Sequence, residues 1–230
     1  MGGLPPDKLK RCVDSVAVQT FKCDHIIVAD GEPQAMPEGY NVIHMVLPAN
    51  IGNSGASPRG FGAQYAFVQG YDAVAFLDAD NWYAPDHIEL ASKILMKSNV
   101  DVVFARRHII FPDGELLNVD EPQDIGGKHV DTNCYIFTKK VAFLSAVWAM
   151  YPKEFGVGED QLMRYLIGYL DLEAALLKKK TVWYETNWKF HYDLAKKIPV
   201  APIRNPTNSL NKNFNIDLFF QRTGLRLKRS

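Results

Sequence analysis

Residues 75–87 read AFLDADNWYAPDH. Three apolar residues (Ala75, Phe76, Leu77) run straight into Asp78 and Asp80 with only Ala79 between them. Trp82, Tyr83 and Pro85 end the run before Asp86. A buried strand finishing in two carboxylates needs something to answer their charge, because an ionised group that loses water without a partner is costly. A divalent cation is the usual answer, since Mg²⁺ and Mn²⁺ take carboxylate oxygens together with phosphate oxygens. The stretch predicts a sheet strand with a metal site for a diphosphate at its carboxyl end, where open α/β sheets bind ligands. The competing reading is a strand followed by an ordinary polar turn.

Working outward, Ala73–Leu77 is the strand and Phe61–Gly70 the helix before it, preceded by a small-residue loop from Pro48 to Gly60. Upstream, Asn41–Val46 and the β-branched run His25–Ala29 read as strands, the latter closed by the Asp30-Gly31 turn. Pro5, Pro6 and Asp7 open a helix in which Leu9, Val13, Val16 and Thr20 keep helical spacing. Downstream, Asp86 is expected to cap a helix reaching Lys97, with Ile88, Ala91 and Leu95 on one face. Val100–Ala105 reads as a strand, and the Gly-, Pro- and acid-rich stretch Arg106–Val130 as a long loop. Then come a strand at Asn133–Thr138, a helix at Lys139–Met150 with Phe143, Val147 and Met150 inward, and a glycine joint at Gly156–Gly158. Glu159-Asp160 open a helix marked by Leu162, Met163, Leu166, Ile167 and Leu170. Thr181–Tyr184 is a last short strand, and His191 follows Trp188 and Phe190.

Strand–helix alternation in the first half predicts a mainly parallel mixed sheet with helices on both faces. The 230 residues suffice for a sizeable core, and no linker divides them. Balance between 26 basic and 26 acidic side chains argues against a nucleic-acid binder held by phosphate contacts. The terminal Arg222, Arg226, Lys228 and Arg229 read as a solvated tail. The 3 cysteines are widely spaced and fit a reducing compartment. No apolar run nears the roughly 18 residues a membrane span needs, and the start lacks the apolar core of a signal peptide. The expected location is cytoplasmic, peripheral to the inner membrane surface at most.

Four motifs in order make the chain resemble the GT-A fold glycosyltransferases, specifically glycosyltransferase family 2, over roughly residues 6 to 192. They are CVDSVAVQTF followed by HIIVADG; the loop holding Asn50, Gly52, Arg59 and Gly62; Asp78-Ala79-Asp80 with its trailing aromatic, proline and acid; and Gly158-Glu159-Asp160 ahead of a helix. The loop departs from the family's pattern in spacing and has Gly60 where Asn is usual. The resemblance implies one GT-A domain over 1-230, with a nucleotide-binding half at 6-130, an acceptor half at 131-192 and an extension at 193-230. It implies a metal-dependent, inverting, hexosyltransferase-type enzyme that uses a UDP- or GDP-linked sugar for glycan assembly, polysaccharide biosynthesis included. The acceptor would be a glycan, a lipid-linked molecule or a protein, and the enzyme could be an oligomer.

By the same resemblance Asp160 is the catalytic base. Asp78, Asp80 and His191 hold Mn²⁺ or Mg²⁺, with Asp80 as the direct ligand. Asp30, Arg59 and Asp78 grip the donor, and Glu159, Asp131, Asn133 and Trp82 are further substrate-binding candidates. The chemistry suits these residue types. A cation answers the charge that develops on a leaving diphosphate, a carboxylate takes a hydroxyl proton, and a guanidinium matches phosphate oxygens in a fork. Each also has an ordinary reading: Asp160 as a helix cap, Arg59 as a solvated cation, His191 as a packed histidine, Trp82 and its aromatic neighbours as core. The family pattern opens with an apolar strand before the first helix, so the expected sheet lacks its first strand, which an upstream coding segment would supply. A truncated, non-catalytic sugar-nucleotide-binding protein is the alternative. Haloacid-dehalogenase-like phosphatases also place Asp-x-Asp at a strand end, but want Thr or Val where this chain has Trp82.

Overall fold

The structure, a computed structural model, describes residues 4–118, 129–199, 202–205 and 216–225. In chain order the elements are α1 (Pro6–Ala17), β1 (His25–Ala29), β2 (Val42–Val46), α2 (Ala56–Val68), β3 (Ala73–Ala75), β4 (Trp82–Tyr83) and α3 (His87–Lys97). They continue with β5 (Val102–Ile110), β6 (Tyr135–Thr138), α4 (Leu144–Ala149), α5 (Glu159–Tyr169), β7 (Ala174–Glu185), α6 (Lys189–Ala195) and α7 (Ile216–Thr223). Pro6 suits the first turn of α1 because the N–H it lacks would have no helical partner there. Leu9, Cys12 and Val13 then bury one stripe of that helix. In α5 the buried set is Leu162, Met163, Leu166 and Ile167, the stripe expected from its spacing.

The sheet is mixed, and less parallel than strand–helix alternation suggested. β1 and β2 form a parallel pair of their own. The main sheet runs β3-β6-β5-β7-β4, and only its β5–β7 pairing is parallel. β6 lies antiparallel between β3 and β5 because a loop and a 3₁₀ turn at Thr132–Cys134 lead into it, not the crossover helix a parallel neighbour needs. β1 and β3 each end their sheet. Between them lies a cavity of about 730 Å³, walled by His25–Val28 on one side and Ala73–Leu77 on the other, with residues of α1, α2 and α3 closing it. No described strand occupies the position where the family resemblance puts the first strand.

Both faces of the main sheet are covered. On one face α2, α4, α5 and α7 pack around Phe76, Tyr135, Phe137 and Trp148. There the Trp148 ring lies 4.7 Å from Phe76 edge-on and 5.5 Å from Phe137 in a stack. On the other face α3 packs on Val103, Ala105, Ile136 and Val182. Helices α2 and α4 meet backbone to backbone at Gly60. A Cβ there would lie 2.1 Å from Ala149 N and 2.7 Å from Ser145 O. Gly60→Ala should therefore force α4 away and cost about 1–3 kcal/mol in a urea melt. Gly168→Ala, whose Cβ would only touch the Arg164 guanidinium at 3.4 Å, should change little or stabilise slightly. Equal melts for the two variants would refute this account of the contact.

Several local expectations need correction. The loop ends earlier than Gly60, since α2 starts at Ala56 on an Asn53–Ser57 hydrogen-bonded turn. Asp86 stands at the start of α3 without a side-chain cap bond, because its carboxylate pairs with Lys179. Phe143 and Met150 are each 43% exposed, and it is Leu144, Val147 and Trp148 that face inward. A 3₁₀ turn at Lys139–Val141 rotates the helix relative to the continuous one expected. β5 extends through Ile110, so the first five residues of the supposed loop are strand. The remainder of that loop includes residues 119–128, which lie outside the described residues, as do Arg226, Lys228 and Arg229. Among the described residues no helix is long and apolar enough to cross a membrane.

Candidate active site

Asp30 follows directly on the end of β1, whereas β3 stops at Ala75, two residues short of the strand expected through Leu77, so that Phe76 and Leu77 lead from it to Asp78. Asp30 accepts the backbone N–H of Ile51 at 2.9 Å and of Gly52 at 3.0 Å, and so holds the loop before α2. That loop closes because residue 31 is glycine. Its φ is +86°, and a Cβ would stand 2.3 Å from Asn50 N.

Arg59 projects from the first turns of α2 into the site. Its Nε and Nη2 donate to Asp78 Oδ1 at 2.9 and 2.5 Å, its Nη1 donates to the Ser54 carbonyl at 3.0 Å, and the same nitrogen lies 3.8 Å from Glu159 Oε1. The other Asp78 oxygen is met by Asn133 Nδ2 at 3.2 Å and Thr132 Oγ1 at 3.4 Å, and the Asp78 N–H donates to Asn133 Oδ1 at 2.6 Å. Asn133 is fixed in turn by Asp131, which accepts from its Nδ2 at 2.7 Å and pairs with Arg107 at 2.5 Å. Two guanidiniums thus bracket a chain of polar groups. Asp131 and Asn133, named as substrate candidates, here position Asp78.

Among the described residues Asp80 has no such cationic clamp on its side chain. Burial and the neighbouring charge of Asp78 push its carboxyl up to about 6, although Lys8 and Arg204 pull the other way. Its backbone carbonyl accepts from Arg11. Trp82 turns away from the site. It is sandwiched between the Arg11 guanidinium, 3.8 Å from its ring, and Trp183, and it is not among the residues lining the cleft described next.

A cleft of about 370 Å³ opens beside Asp78 and is lined by Arg59, Arg107, His129, Asp131, Glu159, Asp160, His191 and Arg204 among others. The start of α5 is pinned by the core: Trp148 Nε1 donates to the Glu159 carbonyl and the Tyr135 hydroxyl to the Asp160 carbonyl, each at 3.0 Å. The Glu159 carboxylate turns back onto the Gly158 N–H at 2.9 Å. Burial and the charge of Asp160 raise its pKa, and Arg59 opposes them. Asp160 Oδ1 accepts the Gln161 N–H at 2.7 Å, and Oδ2 lies 2.6 Å from His129 Nε2. His191, on α6, is buried with its Nδ1 2.6 Å from Thr186 Oγ1.

The structure therefore brings Arg59, Asp78, Asp131, Asn133, Glu159, Asp160 and His191 to one region, while neither Trp82 nor Asp80 is among the residues lining the cleft. Asp30 stands on the separate β1–β2 layer. Sequence reasoning missed Arg107, His129 and Arg204. The first two fall inside the stretch taken for a loop, and Arg204 in the extension, so nothing in their spacing tied them to the carboxylates.

Residues 6–154 match the profile described as glycosyl transferase family 2. The chain belongs to that family. An uncharacterized glycosyltransferase of Nostoc sp. is 30% identical over 129 residues, which is 52% of this chain and 38% of the relative. Among solved structures, S. aureus TarS (residues 1-349) in complex with UDP-GlcNAc superposes with a TM-score of 0.62 at 16% identity. That match covers 84% of this chain and 58% of the TarS fragment. The same TarS fragment in complex with UDP gives 0.58 at 16% identity over 81% and 59%. This family 2 chain thus has an α/β fold similar to that of TarS and consistent with a GT-A fold, and it spans less than two thirds of the length of the relatives it matches. Membership excludes the phosphatase alternative. The Glu159-Asp160 pair and His191 lie beyond the matched residues.

Proposed function

We propose that this chain carries the catalytic cleft of a metal-dependent, inverting glycosyltransferase that moves a sugar from a nucleotide diphosphate to an acceptor hydroxyl. The observation that carries the reading is the cleft itself, whose lining includes both Asp78 and Asp160. A donor diphosphate needs positive charge on one side, and an acceptor hydroxyl needs a proton-accepting group on the other. Inversion by a single displacement is what the family resemblance implies, the acceptor hydroxyl attacking the anomeric carbon itself with no protein nucleophile between. TarS, solved with UDP and UDP-GlcNAc, makes a UDP-linked donor the first choice, ahead of a GDP-linked one.

The metal reading rests on donor chemistry. Among the described residues no three His, Cys, Asp or Glu groups gather in a metal-holding cluster. That fits Mg²⁺ or Mn²⁺, which take one or two carboxylates plus substrate phosphates and do without an all-protein cage. Asp78 already has Arg59 as counter-charge, whereas the raised Asp80 is the carboxylate a cation would stabilise. Asp80 would hold the ion with Asp78 as its neighbouring carboxylate, and the ion would neutralise charge on the departing diphosphate; His191 does not gather with these two carboxylates into a three-ligand cluster among the described residues. Arg204 is the additional cation facing that region.

The test is a thermal-shift panel of nucleoside diphosphates with and without Mn²⁺. UDP at 100 times its Kd is expected to add about 2.7 kcal/mol, or roughly 5–10 °C, when Mn²⁺ is present. Asp80→Ala should lose the Mn²⁺-dependent part alone. Absence of any metal-dependent shift across the panel would remove the metal from the reading, and absence of any shift at all would remove the nucleotide.

A further inference from the structure

The contact between His129 Nε2 and Asp160 Oδ2 at 2.6 Å is a feature of the cleft that the proposed chemistry leaves unused. Both side chains are mostly buried, 16% and 18% exposed, yet both line the cleft. Asp160 has neither oxygen uncommitted, since Oδ1 takes the Gln161 N–H. An acceptor hydroxyl would compete with His129 for Oδ2. An imidazole whose Nε2–H donates to a carboxylate carries its remaining lone pair on Nδ1, and no hydrogen bond to that atom forms among the described residues.

We propose that His129 takes the proton of the acceptor hydroxyl, with Asp160 as the carboxylate that fixes the ring's tautomer and answers the charge it gains. The step rests on the glycosyl-transfer reading above. The acceptor oxygen forms its bond to the anomeric carbon while the bond from that carbon to the diphosphate oxygen breaks. The electron pair leaves with the diphosphate, the hydroxyl proton passes to His129 Nδ1, and the imidazolium later returns it to solvent.

Electrostatics agree. Burial works against a charge on His129, but the hydrogen bond and charge of Asp160, with help from Asp131, outweigh it and the opposing Arg107, so the imidazole value is raised. Glu159, Arg59, Asp78, His191, Tyr184 and Arg204 are the other titratable or charged groups around this cleft. A raised histidine is protonated, and therefore idle as a base, at acid pH. Activity should then climb with pH as His129 deprotonates, its inflection above 6.5.

The experiment follows release of nucleoside diphosphate from the nucleotide sugar that the thermal-shift panel selects. Wild type is compared with His129→Gln, His129→Ala and Asp160→Asn. Expected are a loss of about 10²–10³ in kcat for His129→Gln at an unchanged melting temperature, disappearance of the ascending pH limb, and partial rescue of His129→Ala by free imidazole. If His129→Gln keeps wild-type kcat and pH limb while Asp160→Asn is inactive, Asp160 takes the proton itself and the inference is overturned with the glycosyl-transfer reading intact. If all three variants keep full activity, both fall. Destabilised His129 variants leave the wild-type pH limb and its loss in Asp160→Asn as the deciding measurement, and a flat wild-type profile between pH 6 and 8 overturns the inference.

Discussion

Asp160→Asn is expected to lower kcat by about 10³-fold with little change in the KM for the donor. The size follows from what the carboxylate does at this position. It holds His129 at 2.6 Å and presents the negative charge that any proton arriving in this part of the cleft requires. Asparagine keeps the shape and can still accept the Gln161 N–H, so the start of α5 should stay in place, tied by Trp148 and Tyr135 to the backbone carbonyls of Glu159 and Asp160. What is lost is charge. Facing an amide, the ring is no longer held to the tautomer with a bare Nδ1. In the proposed function the donor binds on the Asp78 and Asp80 side, which is why KM should hold. Steady-state kinetics with varied donor checks this, and a variant retaining a third or more of wild-type kcat would refute the placement of proton transfer at α5.

Arg59→Met is expected to destabilise the fold by about 3–5 kcal/mol, the usual consequence of removing one partner from a buried ion pair. Only 12% of the Arg59 side chain is exposed, and it serves Asp78, the Ser54 carbonyl and Glu159 at once. Without it two carboxylates are left facing each other in a poorly solvated site. The effect carries a pH signature. The folded value of Glu159, near 7, stands above its ordinary 4.5. Native protein therefore holds that proton more tightly than unfolded chain, and the stability it contributes is complete below 4.5 and lost as pH rises through about 7. Removing the guanidinium, which opposes that rise, moves Glu159 higher still. The penalty of Arg59→Met should therefore be larger at pH 8 than at pH 5. Urea titrations at the two pH values measure it. A loss below about 1 kcal/mol at both would mean that Arg59 is a ligand-facing cation and not an internal one. Arg59→Lys should recover part of the charge and none of the fork.

The helices were legible because their buried stripes recur at fixed spacing, as in α1 and α5. The strands were less so. Lys178, Lys179 and Lys180 interrupt β7, whose polar residues face outward while Leu177, Thr181 and Val182 bury, so the sequence there reads as loop until its partners β5 and β4 are in place. β5 hides its second half for the same reason, since Arg106, Arg107 and His108 are strand residues that look like the start of a charged loop. In the site, Asp78, Asp160 and His191 could be singled out by position after a strand or at a helix start. That Arg59 would bind Asp78 could not be seen, because it depends on α2 beginning four residues before Gly60. His129 and Arg204 were beyond reach, since separation in the chain conceals proximity in space and neither stands in a motif.

The β1–β2 pair exchanges no backbone hydrogen bonds with the main sheet, and its partner across the chain is α2, where Gly62 lets Val28 approach. Two strands alone are marginal in water. This layer should therefore open at a lower free energy than the five-stranded sheet, and amides of Ile26–Val28 should exchange with deuterium before those of Val102–Phe104. Asp30 rides on that layer while Asp78, Asp80 and Asp160 ride on the other. In the proposed function a nucleotide meets both layers, and its affinity is then a product of two quantities, the strength of the contacts and the fraction of molecules in which the two layers are in register. Tightening the layer, without touching any group that meets the ligand, would raise affinity.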